Sequence, residues 1–73
     1  MKNSRPIKKQ GIVIECLPNA NFKVKLDDGE IVLAHLAGKL RLFHIRILVG
    51  DRVVLEISPF DLTKGRIIFR KKH

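Results

Sequence analysis

Covalent and acid–base chemistry begin at thiols, imidazoles and carboxylates, and this chain offers little at any of them. Its single cysteine, Cys16, sits in a run of Ile and Val and reads as a small buried hydrophobe. One cysteine forms no internal disulfide, which fits a reducing compartment. The histidines His35, His44 and His73 are too scattered for a metal site, and no cysteine spacing suggests one. No paired carboxylates and no Ser/His/Asp arrangement stand out. These residues argue against an enzyme and call for no cofactor and no metal. The chemistry the chain does hold is cationic. Lys39, Arg41 and Arg46 lie in the stretch 34–48, which has no acidic residue. Ammonium and guanidinium groups neutralise phosphates, and the planar guanidinium adds bidentate contacts.

The placement of the cations says more than their number. The net charge is +8. Lys2, Arg5, Lys8 and Lys9 stand before residue 10, and Lys64, Arg66, Arg70, Lys71 and Lys72 after residue 63, with no acid in either segment. All seven acids fall between them. If the two ends and the stretch 34–48 converge, the molecule has one basic face, the footprint of a nucleic-acid binder. The plainer readings are solubilising tails and a connector that only plugs a barrel.

A chain of 73 residues makes one domain, and 45% hydrophobic residues suffice for a small core. No apolar run approaches the ~20 residues that span a bilayer, so no membrane partner is expected. No signal peptide is evident. Residues 1–9, with Pro6 among cations, read as a flexible basic arm. Gln10–Leu17 reads as a first strand, with Gly11 marking a bulge or a sharp bend at a barrel corner and the strand's faces left unassigned. Pro18-Asn19-Ala20-Asn21 is turn chemistry. Phe22–Leu26 alternates strictly, with Phe22, Val24 and Leu26 inward and Lys23 and Lys25 outward. Asp27-Asp28-Gly29 signals a hairpin into a third strand, Glu30–His35, whose parity stays open because 31–34 are all apolar.

Leu36, Leu40 and Phe43 then fall on one helical stripe, so a short helical connector is predicted. After the turn Val49-Gly50-Asp51 comes strand four, Arg52–Ile57, with Val53, Leu55 and Ile57 inward. A Pro/Gly loop precedes strand five, Arg66–Arg70, which places Ile67 and Phe69 on one face. By that parity Phe22 and Phe69 belong to the core. Residues 71–73 form a basic tail. The domain at 10–70 is therefore predicted to be all-β. Its expected form is a five-stranded Greek-key barrel of the oligonucleotide/oligosaccharide-binding (OB) type, with a helical connector between strands three and four. An SH3-like barrel is the rival that the connector disfavours.

Several motifs carry a family likeness. Gln10-Gly11, Leu17-Pro18-Asn19, Ala34-His35, Gly38-Lys39, Ile45-Arg46-Ile47-Leu48, Gly50-Asp51, Pro59-Phe60-Asp61-Leu62 and Lys64-Gly65-Arg66-Ile67 occur in this order. Over roughly residues 10–70 the chain resembles bacterial-type translation initiation factor one. The resemblance implies a non-enzymatic protein of the cytoplasm, or of an organelle stroma. Such a protein would be monomeric off the ribosome and would occupy the A site of the small (30S) subunit. It would wedge against the decoding-site helix of the ribosomal RNA, block tRNA entry and cooperate with the other initiation factors. By motif position the implied RNA contacts are His35, Lys39, Arg41, Arg46, Lys64, Arg66 and Arg70. His44 departs from a tyrosine common in the family, and Phe60 from another. Leu42 and Phe43 stand where polar or basic residues are common, and the basic arm replaces acidic ones. A cold-shock-like RNA chaperone on the same fold is the alternative. It would display several aromatics, and this chain has only four Phe with no Trp or Tyr. A permanent ribosomal structural protein is a further rival.

Overall fold

The computed structural model describes residues 7–71. Residues 1–6 of the arm and 72–73 of the tail lie outside the described residues. The elements are β1 (Ile7–Leu17), β2 (Asn21–Leu26), β3 (Ile31–Leu36), α1 (Gly38–Leu42), β4 (Arg52–Ile57) and β5 (Lys64–Arg70). They form a closed barrel in the order β1-β2-β3-β5-β4, with β3 and β5 parallel and the other pairs antiparallel. The five strands and the helix between β3 and β4 are those the sequence predicts.

One glycine makes closure possible. Gly11 pairs with Leu26 on β2 and with Val53 on β4, so β1 hands over from one neighbour to the other there. A Cβ at this point would lie 2.6 Å from the Lys25 carbonyl oxygen and 2.8 Å from Val24 Cγ1. The bend read from the sequence at Gly11 is therefore a close approach of two backbones.

β1 also begins earlier than composition suggests. Ile7, Lys8 and Lys9, assigned to the arm, pair with Ile57, Glu56 and Leu55. Their polarity is no obstacle, because β4 offers them an open edge.

The inward row is Val13, Phe22, Val24, Val32, Ala34, Val53, Leu55, Ile57 and Ile67, all buried. β3 resolves to Val32, Ala34 and Leu36 inside and Ile31, Leu33 and His35 outside. Two bulges defeat simple parity. The β4–β5 register slips between Val54 and Leu55, so Phe69 pairs with outward Val54 and is 55% exposed. Phe69 is thus not a core residue, a correction to the alternation reading. The second slip, between Val13 and Glu15, puts Cys16 opposite Phe22 at the barrel mouth. Cys16 is exposed there rather than buried, its Sγ 3.8 Å from the Ile47 carbonyl oxygen.

Local hydrogen bonds fix the far end of the barrel. Gly29, at φ 95°, closes the β2–β3 hairpin, and Lys9 Nζ donates to Asp28 Oδ2 at 2.5 Å. That bond, and the Glu30 amide, hold the Asp28 carboxyl below its ordinary 3.8. In the β4–β5 loop the Thr63 hydroxyl and amide do the same for Asp61. Carboxyls lowered on folding stabilise the native state above the unfolded value and lose that contribution as pH falls through the folded one. Melting temperature should therefore drop on acidification below pH 3.8, less steeply in Asp28→Asn and Asp61→Asn. Gly11→Ala should cost about 2 kcal/mol by forcing the strands apart. That lowers the melting temperature by roughly 10 °C. An unchanged melting curve would refute the closure role of Gly11.

Candidate nucleic-acid interface

The basic connector is built by one turn of helix and its ending. Ala37 sits extended before α1, and its carbonyl accepts from the Leu40 and Arg41 amides. At the other end Phe43 caps the helix and His44 takes a left-handed φ of 54°. The Ile45 amide donates to the Leu40 carbonyl at 3.1 Å and the His44 amide to the Arg41 carbonyl at 3.0 Å. These are the two bonds of a Schellman ending, with histidine where glycine is usual. The accompanying apolar contact is present too, since Leu40 and Ile45 both pack on the core. The predicted stripe Leu36–Leu40–Phe43 is therefore corrected. Leu36 ends β3, and Ile45 occupies the seat assigned to Phe43. Phe43 stays outside, 62% exposed.

The connector is tied to β5 twice. The Ala37 amide donates to the Ile67 carbonyl at 2.9 Å. Arg70 Nη1 donates to the Arg46 carbonyl at 2.6 Å and lies 4.0 Å from Asp51 Oδ2. Asp51 in turn accepts from the Leu48 amide at 2.8 Å. Lys39, Arg41, Arg46 and Arg70 are thus gathered at the barrel end where β3 and β5 finish.

His35, Lys64 and Arg66 meet on the barrel wall. His35 pairs in register with Arg66, and Lys64 with Leu33. They line an open groove of about 400 Å³, shared with Asn21, Glu56 and Pro59. Arg66 forms an ion pair with Glu56 across the β4–β5 pair. Glu56 and Asn21 of this groove escaped the sequence reading. Asn21 sits opposite His35 through the β2–β3 hairpin register, whereas Glu56 comes near only because the parallel β3–β5 contact places Arg66, its partner, beside His35, which no local pattern announces.

Two of the three basic segments therefore converge. The third is divided as far as it is described: Lys9 lies at the hairpin end against Asp28, while Lys8 pairs in register with Glu56 on the wall.

The acids are distributed unevenly among these cations. Lys23 pairs with Glu15, Arg52 with Asp27, Lys9 with Asp28, Arg66 with Glu56 and Arg70 with Asp51. Five of the seven acids thereby face cations of the barrel strands. Among the described residues, the Lys39, Arg41 and Arg46 side chains form no ion pair with an acid. These three exposed groups keep their full field toward solvent.

Comparison with known proteins agrees with this geometry. Residues 2–73 match the family model described as translation initiation factor 1A / IF-1. The solution structure of translation initiation factor one from the Wolbachia endosymbiont of Brugia malayi is similar, at 44% identity and a TM-score of 0.77. The match covers 97% of this chain and 84% of that one. YjeQ from Thermotoga maritima is similar at 33% identity and a TM-score of 0.74. That match covers 90% of this chain but 23% of YjeQ, one part of a larger protein. The circularly permuted GTPase YloQ shares the fold at 19% identity and a TM-score of 0.74, with 99% of this chain and 25% of that one covered. No helix among the described residues is long and apolar enough to cross a membrane.

Arg46 and Arg70 should separate by role. Arg70→Ala removes the guanidinium that holds the Arg46 carbonyl. It should cost about 1 kcal/mol, since the side chain is largely screened from solvent but not fully buried. The melting temperature then falls by roughly 5 °C. Arg46→Ala leaves that carbonyl in place and should leave the melting temperature unchanged. Equal losses in the two variants would contradict the assignment.

Proposed function

Because this chain belongs to the translation initiation factor 1A / IF-1 family, we propose that it acts by occupying the A site of the small (30S) ribosomal subunit. There it meets the decoding-site helix of the ribosomal RNA, blocks premature tRNA entry and supports the other initiation factors. The contacts are electrostatic and shape-led. Lys39, Arg41 and Arg46 meet phosphates first, Lys64 and His35 extend the surface along the wall, and Arg66 exchanges Glu56 for a phosphate. Arg70 both contacts RNA and holds the connector in shape.

The observation that carries this reading is the acid-free connector, whose three cations have no ion-pair partner among the described residues, whereas Lys9, Lys23, Arg52, Arg66 and Arg70 on the strands each face an acid and only Lys8, Lys25 and Lys64 there do not. Surface ion pairs contribute little to stability, so the barrel loses little by this arrangement. An RNA phosphate supplies the missing countercharge and releases condensed cations as it does so. The protein works as a monomer in the cytoplasm or an organelle stroma, with no chemistry of its own.

The cold-shock-like alternative needs aromatics on the ligand-binding strands. The outward residues of β2 and β3 include Lys23, Lys25, Ile31, Leu33 and His35, with no Phe among them.

Binding to purified small subunits should weaken steeply with salt, corresponding to roughly five to seven neutralised phosphates. Lys39→Ala and Arg41→Ala should each lower affinity and reduce the salt slope by about 1, with unchanged melting. RNA footprinting should show protection in the decoding-site helix together with loss of tRNA binding to the A site. A flat salt profile, or protection confined to another region, would overturn the proposal.

A further inference from the structure

The Schellman ending has a consequence for the two residues it leaves outside. Leu40 and Ile45 take both seats on the core, so the chain between them must turn outward. Leu42 is 74% exposed and Phe43 62% exposed, an apolar pair at the crest of the connector. An adjacent exposed apolar pair marks a contact surface where its flanks say what would cover it. The flanks of this pair are cationic: Arg41 precedes it and Arg46 follows, with Lys39 one turn back. No acid lies between Glu30 and Asp51. An apolar protein groove would have to bury these charges or match them with acids. A nucleotide supplies both halves of the match, a flat π-surface for the ring and a phosphate for the guanidinium.

We infer that Phe43 is a stacking platform for one unpaired nucleobase of the RNA partner, with Arg41 and Arg46 holding the phosphates on either side of that nucleotide. Leu42 covers the edge of the same base. The inference rests on the proposed binding to small-subunit RNA and adds a base contact to what is otherwise backbone recognition. It also gives the left-handed His44 a task, since the turn it makes sets the direction of the ring.

The chain contains no tryptophan and no tyrosine, so a single aromatic reporter can be introduced cleanly. Full-length F43W and, as a control at the β2–β3 hairpin, I31W (Ile31 being 53% exposed there) are titrated with purified small subunits. Co-sedimentation is followed in parallel. Stacking predicts strong quenching of F43W fluorescence on binding and little change in I31W. Phe43→Ala should lower affinity about 5- to 150-fold, the range of one stacked base. Phe43→Tyr should restore it, and all variants should melt like the parent chain. If wild type and Phe43→Ala co-sediment equally and F43W is unquenched, the stacking role is overturned while the RNA-binding reading stands. A blue shift of F43W without quenching places the ring in a protein pocket and overturns it too. Failure of the wild-type protein to co-sediment removes both.

Discussion

β5 lies between β3 and β4 in the barrel wall, and that position governs the rest of the molecule. Two strands adjacent in sequence are thereby kept from pairing, so the link between them must cross the end of the strand that separates them. Residues 37–51 make this crossing. They cannot be a tight turn, and they cannot avoid the end of β5. The hydrogen bonds from Ala37 to Ile67 and from Arg70 to Arg46 are where the crossing is fastened. A basic segment in the middle of the chain and a basic segment at its end are brought together by topology.

Charge then follows architecture. Five cations on the strands have acids across the ladder or at the hairpin, as with Arg66 and Glu56 or Arg52 and Asp27. The crossing segment's own sequence contains no acid between residues 31 and 50. A rigid barrel whose walls carry five ion pairs and whose one end holds an acid-free cationic segment has a built-in direction of approach to a polyanion. On the proposed function, that direction would orient docking on the subunit's RNA. Phosphate contacts of this kind supply affinity and register without a base code.

Much of the fold was legible in the chain. The strict alternation of Phe22–Leu26 and the Asp-Asp-Gly turn placed the first hairpin, and the basic connector was recognisable from composition. What could not be read was any feature set by register between distant strands. Phe69 points outward because a bulge against β4 shifts its parity, and nothing within Arg66–Arg70 records that slip. Cys16 is exposed for a similar reason on β1. The helical stripe failed at Phe43 because a left-handed histidine ended the helix where a glycine would have announced it. Lys8 and Lys9 looked like an arm because composition does not show an open strand edge. On the connector the acid-free run holding Lys39 and Arg41 was legible, whereas the pairing of Arg66 with Glu56 was not.

The orientation of the cationic end toward ribosomal RNA is open to direct measurement. Cys16 is exposed at that end, close to Ile47, and is the chain's lone cysteine. An iron chelate tethered to it would generate hydroxyl radicals beside the connector. In complex with small subunits, the tether should cut the RNA backbone strongly in one confined region at the decoding site. The same tether on Glu30→Cys in a Cys16→Ser background, at the hairpin end, should cut weakly there. Strong cleavage from the hairpin end and none from Cys16 would mean that the molecule binds the other way round.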